Sequence, residues 1–196
     1  MDIRQFFFKN RSYTPTPIAL MIIYFAGSAK TFGSLGILLL LIGEAIRIWA
    51  VSHAGGATRT LSVGAPSLCT SGPYALSRNP LYLGNMLMYI GIVLIAGIQN
   101  GLFMVVLTAA FFLIQYTLIV SLEEETLDNL FGEEYLEYKK HVPPIIPRLK
   151  PWNGAKKMKP TTLLQTLKTE KRTLQNVSLV LLLIYIKSNS SLLSLN

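Results

Sequence analysis

The sequence predicts an all-α fold, an integral membrane helical bundle of about five transmembrane helices. Two observations predict it. Charged residues make up 14% of the 196-residue chain and hydrophobic ones 51%, where an average soluble domain carries about 25% charge. The hydrophobic residues are also gathered into blocks close to the roughly 20 residues that cross a ~30 Å hydrocarbon layer at about 1.5 Å per residue. A chain of this length has room for one compact domain. We divide it into a membrane core over 1–150, with four spans and a cap, and a C-terminal part over 151–196 with a basic linker, an amphipathic helix and a fifth span.

In chain order, Pro15 to Gly27 is apolar but short, a marginal span or an interfacial helix. Arg4, Lys9 and Arg11 before it resemble the basic flank of a signal peptide, but no small-x-small cleavage site follows, so the segment is read as retained. Phe32 to Val51, Leu81 to Ile98 and Leu102 to Leu122 are full spans, the last two uncharged before Glu123. Only Gln99, Asn100 and Gly101 separate the third and fourth, which therefore form a tight antiparallel hairpin. The stretch TSGPYALSRNPLYLG, Thr70 to Gly84, must then lie beside the acidic run SLEEETLDNLFGEEYLEYKKHVP, Ser121 to Pro143. The acidic run continues the fourth helix out of the bilayer through Leu122, Leu127, Leu130 and Phe131, breaks at Gly132, and resumes as a short helix with Tyr135 and Tyr138 on one face. VPPIIPRLKPW cannot be helical, because each proline lacks a donor and biases its predecessor toward extended geometry. It is expected to lie on the domain as a strap. NGAKKMKPTT is a linker, Leu163 to Arg172 a basic amphipathic helix, and Leu174 to Ile186 a second marginal span.

Charge sets the topology. If five helices cross, Arg4, Lys9, Arg11, Arg59, Arg78 and the ten basic residues from Lys139 to Arg172 share one side, with Lys30 and Lys187 on the other. The positive-inside rule makes the first side cytosolic and puts the N-terminus there. The net charge of +8 then suits anionic headgroups. Nucleic acid is excluded as a partner, since no aromatic-interleaved basic stripe or RNA motif is present. A single cysteine, Cys69, allows no internal disulfide, and no Cys/His cluster offers a metal site.

Three groupings could carry chemistry. Glu123, Glu124 and Glu125 repel one another and need a cationic partner, unless they are a solvated boundary run. Asn79-Pro80 is a favourable helix start in its own right, but Tyr74, Arg78 and Tyr82 flank it, and Gly72-Pro73 forces a tight turn aimed inward. Glu44 and Arg47, at i,i+3 within the second span, form either a structural ion pair or a functional pair facing a cavity. The dinucleotide, P-loop, zinc-protease and serine-hydrolase signatures are all missing. His53 and His141 have no evident partners in the sequence.

SGPYALSRNPLYLG, an apolar hairpin and EEETLDNLFGEEYLEYKKHVP together resemble the isoprenylcysteine carboxyl methyltransferase family and its relatives among the membrane phospholipid methyltransferases, over roughly Leu61 to Arg148. HAGGATRTLSVGAPSL is similar to bacterial members, which implies a bacterial inner membrane. The resemblance implies an S-adenosylmethionine-dependent enzyme with a cytosolic, non-Rossmann cofactor pocket closed by the segment after the last core helix. It maps cofactor binding onto Ser67, Leu68, Cys69, Tyr74, Asn79, Pro80, Leu81, Tyr82, Glu123 and Glu124. A carboxylate and tyrosine faces are suitable receptors for the cofactor's ammonium and sulfonium. Two departures touch the acceptor end. Asn79 stands where the family box has histidine and cannot titrate, and LIQYTLIVSL lacks the arginine that eukaryotic members place before the glutamates.

The expected activity is methyl transfer to a membrane-embedded lipophilic acceptor, chiefly carboxyl O-methylation of an isoprenylcysteine-like or other lipophilic acid. Arg78 and Arg148 are the candidates for orienting its anionic group. The alternatives are N-methylation of phospholipid headgroups and a small non-catalytic membrane protein. No metal and no obligate protein partner are expected; the membrane and a lipid or lipophilic small molecule are.

Overall fold

The computed structural model describes residues 2–28, 32–56, 63–156 and 158–193. Lys30 and Arg59, used above for topology, lie outside the described residues. Seven α-helices are present among those described, with no strand: α1 Ile3–Lys9, α2 Thr16–Tyr24, α3 Gly33–Ala54, α4 Pro80–Ile95, α5 Gly101–Phe131, α6 Glu133–His141 and α7 Leu163–Leu193. A 3-10 turn, Gly72–Ala75, precedes α4.

α3 and α4 make the most extensive helix pair of the bundle, and their glycines explain it. Gly36 and Gly43 on α3 face Gly91 and Gly84 on the antiparallel α4. A Cβ added at Gly43 would stand 2.6 Å from the Gly84 carbonyl oxygen, and one at Gly91 would stand 2.6 Å from that of Gly36. Without side chains at these four positions the two backbones touch, the packing mode of helices in lipid, where small residues replace hydrophobic drive.

α5 has 31 residues, about 46 Å of helix. Its apolar stretch Leu102–Leu122 is long enough to cross a bilayer, and Glu123 to Phe131 project beyond it. Gly132 ends the helix at φ +51° and starts α6, the break the sequence predicts. α3 and α5 are the two described helices with both the length and the apolarity to cross a membrane, and α4 is a shorter apolar helix. The run Pro15 to Gly27 holds one short helix, α2. The helix is nine residues long, about 14 Å, because Pro15 and Pro17 sit at its start and the chain turns after Tyr24 so that the Gly27 N–H can donate to the Ala96 carbonyl at 2.9 Å. Leu163 to Arg172 and Leu174 to Ile186 are one continuous helix, α7.

The apolar core runs the length of the bundle. Ile18 and Ile22 of α2, Ile92 and Val93 of α4, Met104 of α5 and Ile184 of α7 pack near the α4–α5 turn. Phe8 of α1 joins Phe112, Tyr116, Ile119 and Leu122 of α5 toward the other end. A third cluster, Leu68, Tyr135, Tyr138 and Val142, seats α6 under the loop that precedes α4.

Candidate functional site

The hairpin brings the start of α4 to the point where the apolar part of α5 ends. The Tyr82 hydroxyl donates toward both carboxylate oxygens of Glu123, at 3.0 Å each. The Tyr82 ring stacks on Tyr116 with centroids 4.4 Å apart. Burial pushes the Glu123 carboxyl up to about 7, against opposing effects from the Tyr82 hydrogen bond and the Arg11 guanidinium, and Glu124 next to it adds to the rise. A carboxyl of this kind is poised between its two forms near neutrality.

Glu124 points to a different partner. Arg78 Nε and Nη2 both donate to Glu124 Oε1, at 3.0 and 2.6 Å, while Nη1 donates to the carbonyls of Lys139 and Val142. Lys139 adds an ion pair to Glu124 at 3.3 Å. Arg78 therefore ties the start of α4, the end of α5 and the last turn of α6 together. Arg148 lies in the strap, where its Nη1 donates to the His141 carbonyl at 2.8 Å and its backbone N–H to the Leu76 carbonyl at 3.0 Å.

The strap accounts for the dense loop before α4. Arg78 and Asn79 donate their backbone N–H groups to the carbonyls of Pro143 and Pro144, at 2.9 and 3.1 Å, and Trp152 returns a bond to the Ala75 carbonyl at 3.0 Å. The Asn79 amide also donates to the Pro144 carbonyl at 3.0 Å, and Ser77 Oγ donates to the Ile145 carbonyl at 3.0 Å. Prolines 143 and 144 lack donors but keep their carbonyls, so the strap accepts bonds from a loop that would otherwise bury its N–H groups unpaired. Tyr138 of α6 donates its hydroxyl to the Tyr74 carbonyl at 2.7 Å. Gly72 turns at φ +58°, and a Cβ there would meet the His53 ring at 2.5 Å. That ring is held in turn by the Trp49 carbonyl, 3.0 Å from Nδ1.

The remaining predicted residues line the same end. Ser67 is exposed, Leu68 is buried under α6, and Cys69 is half-buried, its thiol pushed up by burial. Burial also pushes the Tyr74 phenol well above its ordinary range. Pro80 is buried and Leu81 partly so. Beside this loop lies a groove of about 400 Å³ with largely apolar walls, bounded by Trp49, Ser71, Gly72 and Leu76 on one side and Pro151 and Trp152 on the other. No group of three or more His, Cys, Asp or Glu side chains able to hold a metal occurs among the described residues.

Several participants escaped the sequence reading. Tyr116 and Asn85 resembled ordinary bundle residues. The Arg47 guanidinium, paired in the sequence with Glu44, lies 3.9 Å from it but 2.6 Å from Glu170 of α7. A lone acid in a basic helix was the available signal for Glu170.

The sequence of this hairpin and of the acidic helix end that follows it matches a known family. The phospholipid methyltransferase family model matches residues 32–134, more than half of the chain, and the chain belongs to that family. It is 32% identical over 124 residues to the cobalt-zinc-cadmium resistance protein CzcN of Cupriavidus metallidurans, covering 63% of this chain and 51% of that protein. It is 34% identical over 120 residues to the protein-S-isoprenylcysteine O-methyltransferases of Xenopus laevis and Homo sapiens, covering 59% of this chain and 41% of each. The chain thus spans about half the length of these relatives, or less. No solved structure gives a significant match. Family membership and the two long apolar helices together make this a membrane protein.

Proposed function

We propose that this chain is an S-adenosylmethionine-dependent methyltransferase whose acceptor is a lipophilic acid held in the membrane, an isoprenylcysteine-like carboxylate being the leading candidate. The observation that carries the reading is the Tyr82–Glu123 pair, a partly buried carboxylate with a hydroxyl on both oxygens where α4 begins and the apolar part of α5 ends. The donor set fits the cofactor. Glu123 would receive its cationic end through charge-assisted contacts, and the rings of Tyr82 and Tyr74 offer faces to a cation. Ser67, Leu68 and Cys69 lead into the groove beside Ser71 and Gly72, whose apolar walls suit an adenine ring. Asn79, Pro80 and Leu81 complete the helix start, and Glu124 holds Arg78. When bound, the cofactor supplies a methyl group activated on a sulfonium.

The work left to the protein is alignment and exclusion of water, which contribute several kcal/mol when two reactants are held in line. A carboxylate acceptor is already ionised and needs no base, which agrees with an asparagine at position 79. Arg78 is occupied by Glu124 and two carbonyls, and we assign it to holding the helix ends together. Arg148 belongs to the strap. The cytosol is the side on which the loop and strap lie, with the N-terminus there and five crossings in all.

The description of the matching family favours a second reading, N-methylation of a phospholipid headgroup amine. Labelled S-adenosylmethionine incubated with membranes containing the protein separates the two. An ester releases its label in base and a methylamine retains it. Calorimetry with S-adenosylhomocysteine on the purified protein tests both, since absence of binding refutes either form of methyl transfer.

A further inference from the structure

The helix α7 lies wholly outside residues 32–134, the part of the chain shared with the family, yet it places a fully buried carboxylate inside the bundle. Glu170 is 0% exposed, and its Oε2 accepts from Arg47 Nη2 at 2.6 Å. The same nitrogen donates to Thr173 Oγ1 at 3.2 Å. Arg47 Nη1 donates to Asn85 Oδ1 of α4, and Asn85 follows Tyr82 by three residues on that helix, so the two share a face. Tyr116 is the ring on which Tyr82 stacks. Gly84 makes the path possible, because a Cβ there would stand 2.7 Å from Arg47 Cγ.

The chemistry of this chain has a direction. A guanidinium can only donate, so Arg47 fixes the Asn85 amide with its oxygen toward α3. The turn of α4 that carries Asn85 also carries Tyr82, whose ring is thereby held in place over Tyr116. A packing role alone would not need charges here, since a buried ion pair can be replaced by apolar side chains of similar volume at little or no loss of stability. Charges are needed if the orientation of Asn85 matters.

We propose that Arg47, held by Glu170, is a positioning residue for the Tyr82–Glu123 pair, so that α7 is a working part of the methyl-donor site. The inference deepens the proposed function and rests on that reading for the word donor, but the geometry it concerns is tested without it.

The discriminating variant is Arg47→Met combined with Glu170→Leu, which keeps volume and removes orientation. Two readouts are taken on detergent-purified protein. The first is the infrared carboxyl band of Glu123, isolated by subtracting the spectrum of Glu123→Gln and followed from pH 5 to 9. The groups that face this carboxyl are Tyr82 of α4, Tyr74 of the loop, Arg11 after α1 and Glu124 beside it, and all are retained. The second is S-adenosylhomocysteine affinity at pH 8. The double variant is expected to melt at or above the wild-type temperature, to move the Glu123 midpoint by half a pH unit or more, and to bind the probe about tenfold more weakly.

A folded double variant with the wild-type midpoint and affinity overturns the proposal. Should it fail to fold, Arg47→Lys keeps the charge opposite Glu170 and loses the fork to Asn85. The same displaced midpoint is expected there, and an unchanged one overturns the proposal equally. If wild-type protein shows the Glu123 titration but no affinity for the probe, the methyltransferase reading fails. The effect of Arg47 on the Tyr82–Glu123 pair is then judged by the infrared midpoint alone.

Discussion

Substituting Gly43 by alanine is the sharpest test of how the bundle is held together. The new methyl carbon would fall 2.6 Å from the Gly84 carbonyl oxygen, 2.7 Å from Met88 Cγ and 2.9 Å from the Met88 nitrogen. Two of those atoms are backbone, so no rotamer change relieves them, and α3 must move off α4 by roughly 0.5–1 Å to restore ordinary contact. Overpacking of this kind costs about 1–3 kcal/mol. At roughly 2–4 °C per kcal/mol for a chain of this size, the melting temperature should fall by roughly 2–12 °C. Gly33→Ala is the control, because nothing lies within 4 Å of its added carbon and alanine is itself the better helix residue by about 1 kcal/mol. Thermal unfolding by circular dichroism in one detergent compares the pair. If Gly43→Ala melts within a degree of Gly33→Ala, the backbones are not in contact and the account of α3–α4 packing is wrong.

Three other outcomes follow from the site. With its carboxyl raised to about 7, Glu123 is protonated below that pH and anionic above it, so affinity for S-adenosylhomocysteine, whose α-ammonium it would receive, should rise as pH climbs from 6 to 8. Glu123→Gln should flatten that rise and weaken binding at pH 8 by tenfold or more, as read by calorimetry. Arg78→Met leaves Glu124 and two carbonyls without their shared donor, at side-chain exposures of 8% and 15% for the two charged partners. The loss should be about 3–5 kcal/mol, seen in denaturant unfolding. Gly72→Ala must adopt φ +58° beside the His53 ring, and a drop of about 1–2 kcal/mol from the left-handed conformation alone is expected, seen as a lower melting temperature.

How much of this was legible in the sequence depended on whether chain length or side-chain rotation decided the contact. The three-residue turn at Gln99 to Gly101 left the chain no choice but to return α5 alongside α4, so the meeting of Tyr82 with Glu123 could be read from spacing. Prolines 143, 144 and 147 announced a strap. The partners of that strap were not announced, because its carbonyls bond to backbone N–H groups that any residue but proline would carry. The first apolar run is marginal by composition, which does not show that its two prolines confine the helix to nine residues. Arg47 and Glu44 were paired because i,i+3 spacing is visible in one helix, whereas the rotation of α7 that aims Glu170 at Arg47 depends on packing against α2 and α3.

The bonds from Ser77 and Asn79 to residues 144 and 145 join positions 65 to 68 apart in the chain. At about 5–20 residues per second of synthesis, the loop emerges several seconds before the segment that satisfies its donors. Until then its amides have only water to bond, so this end of the molecule has to stay wet while the hairpin inserts. A nascent chain released before Pro143 would carry both apolar halves of the hairpin and no means of shaping the mouth between them.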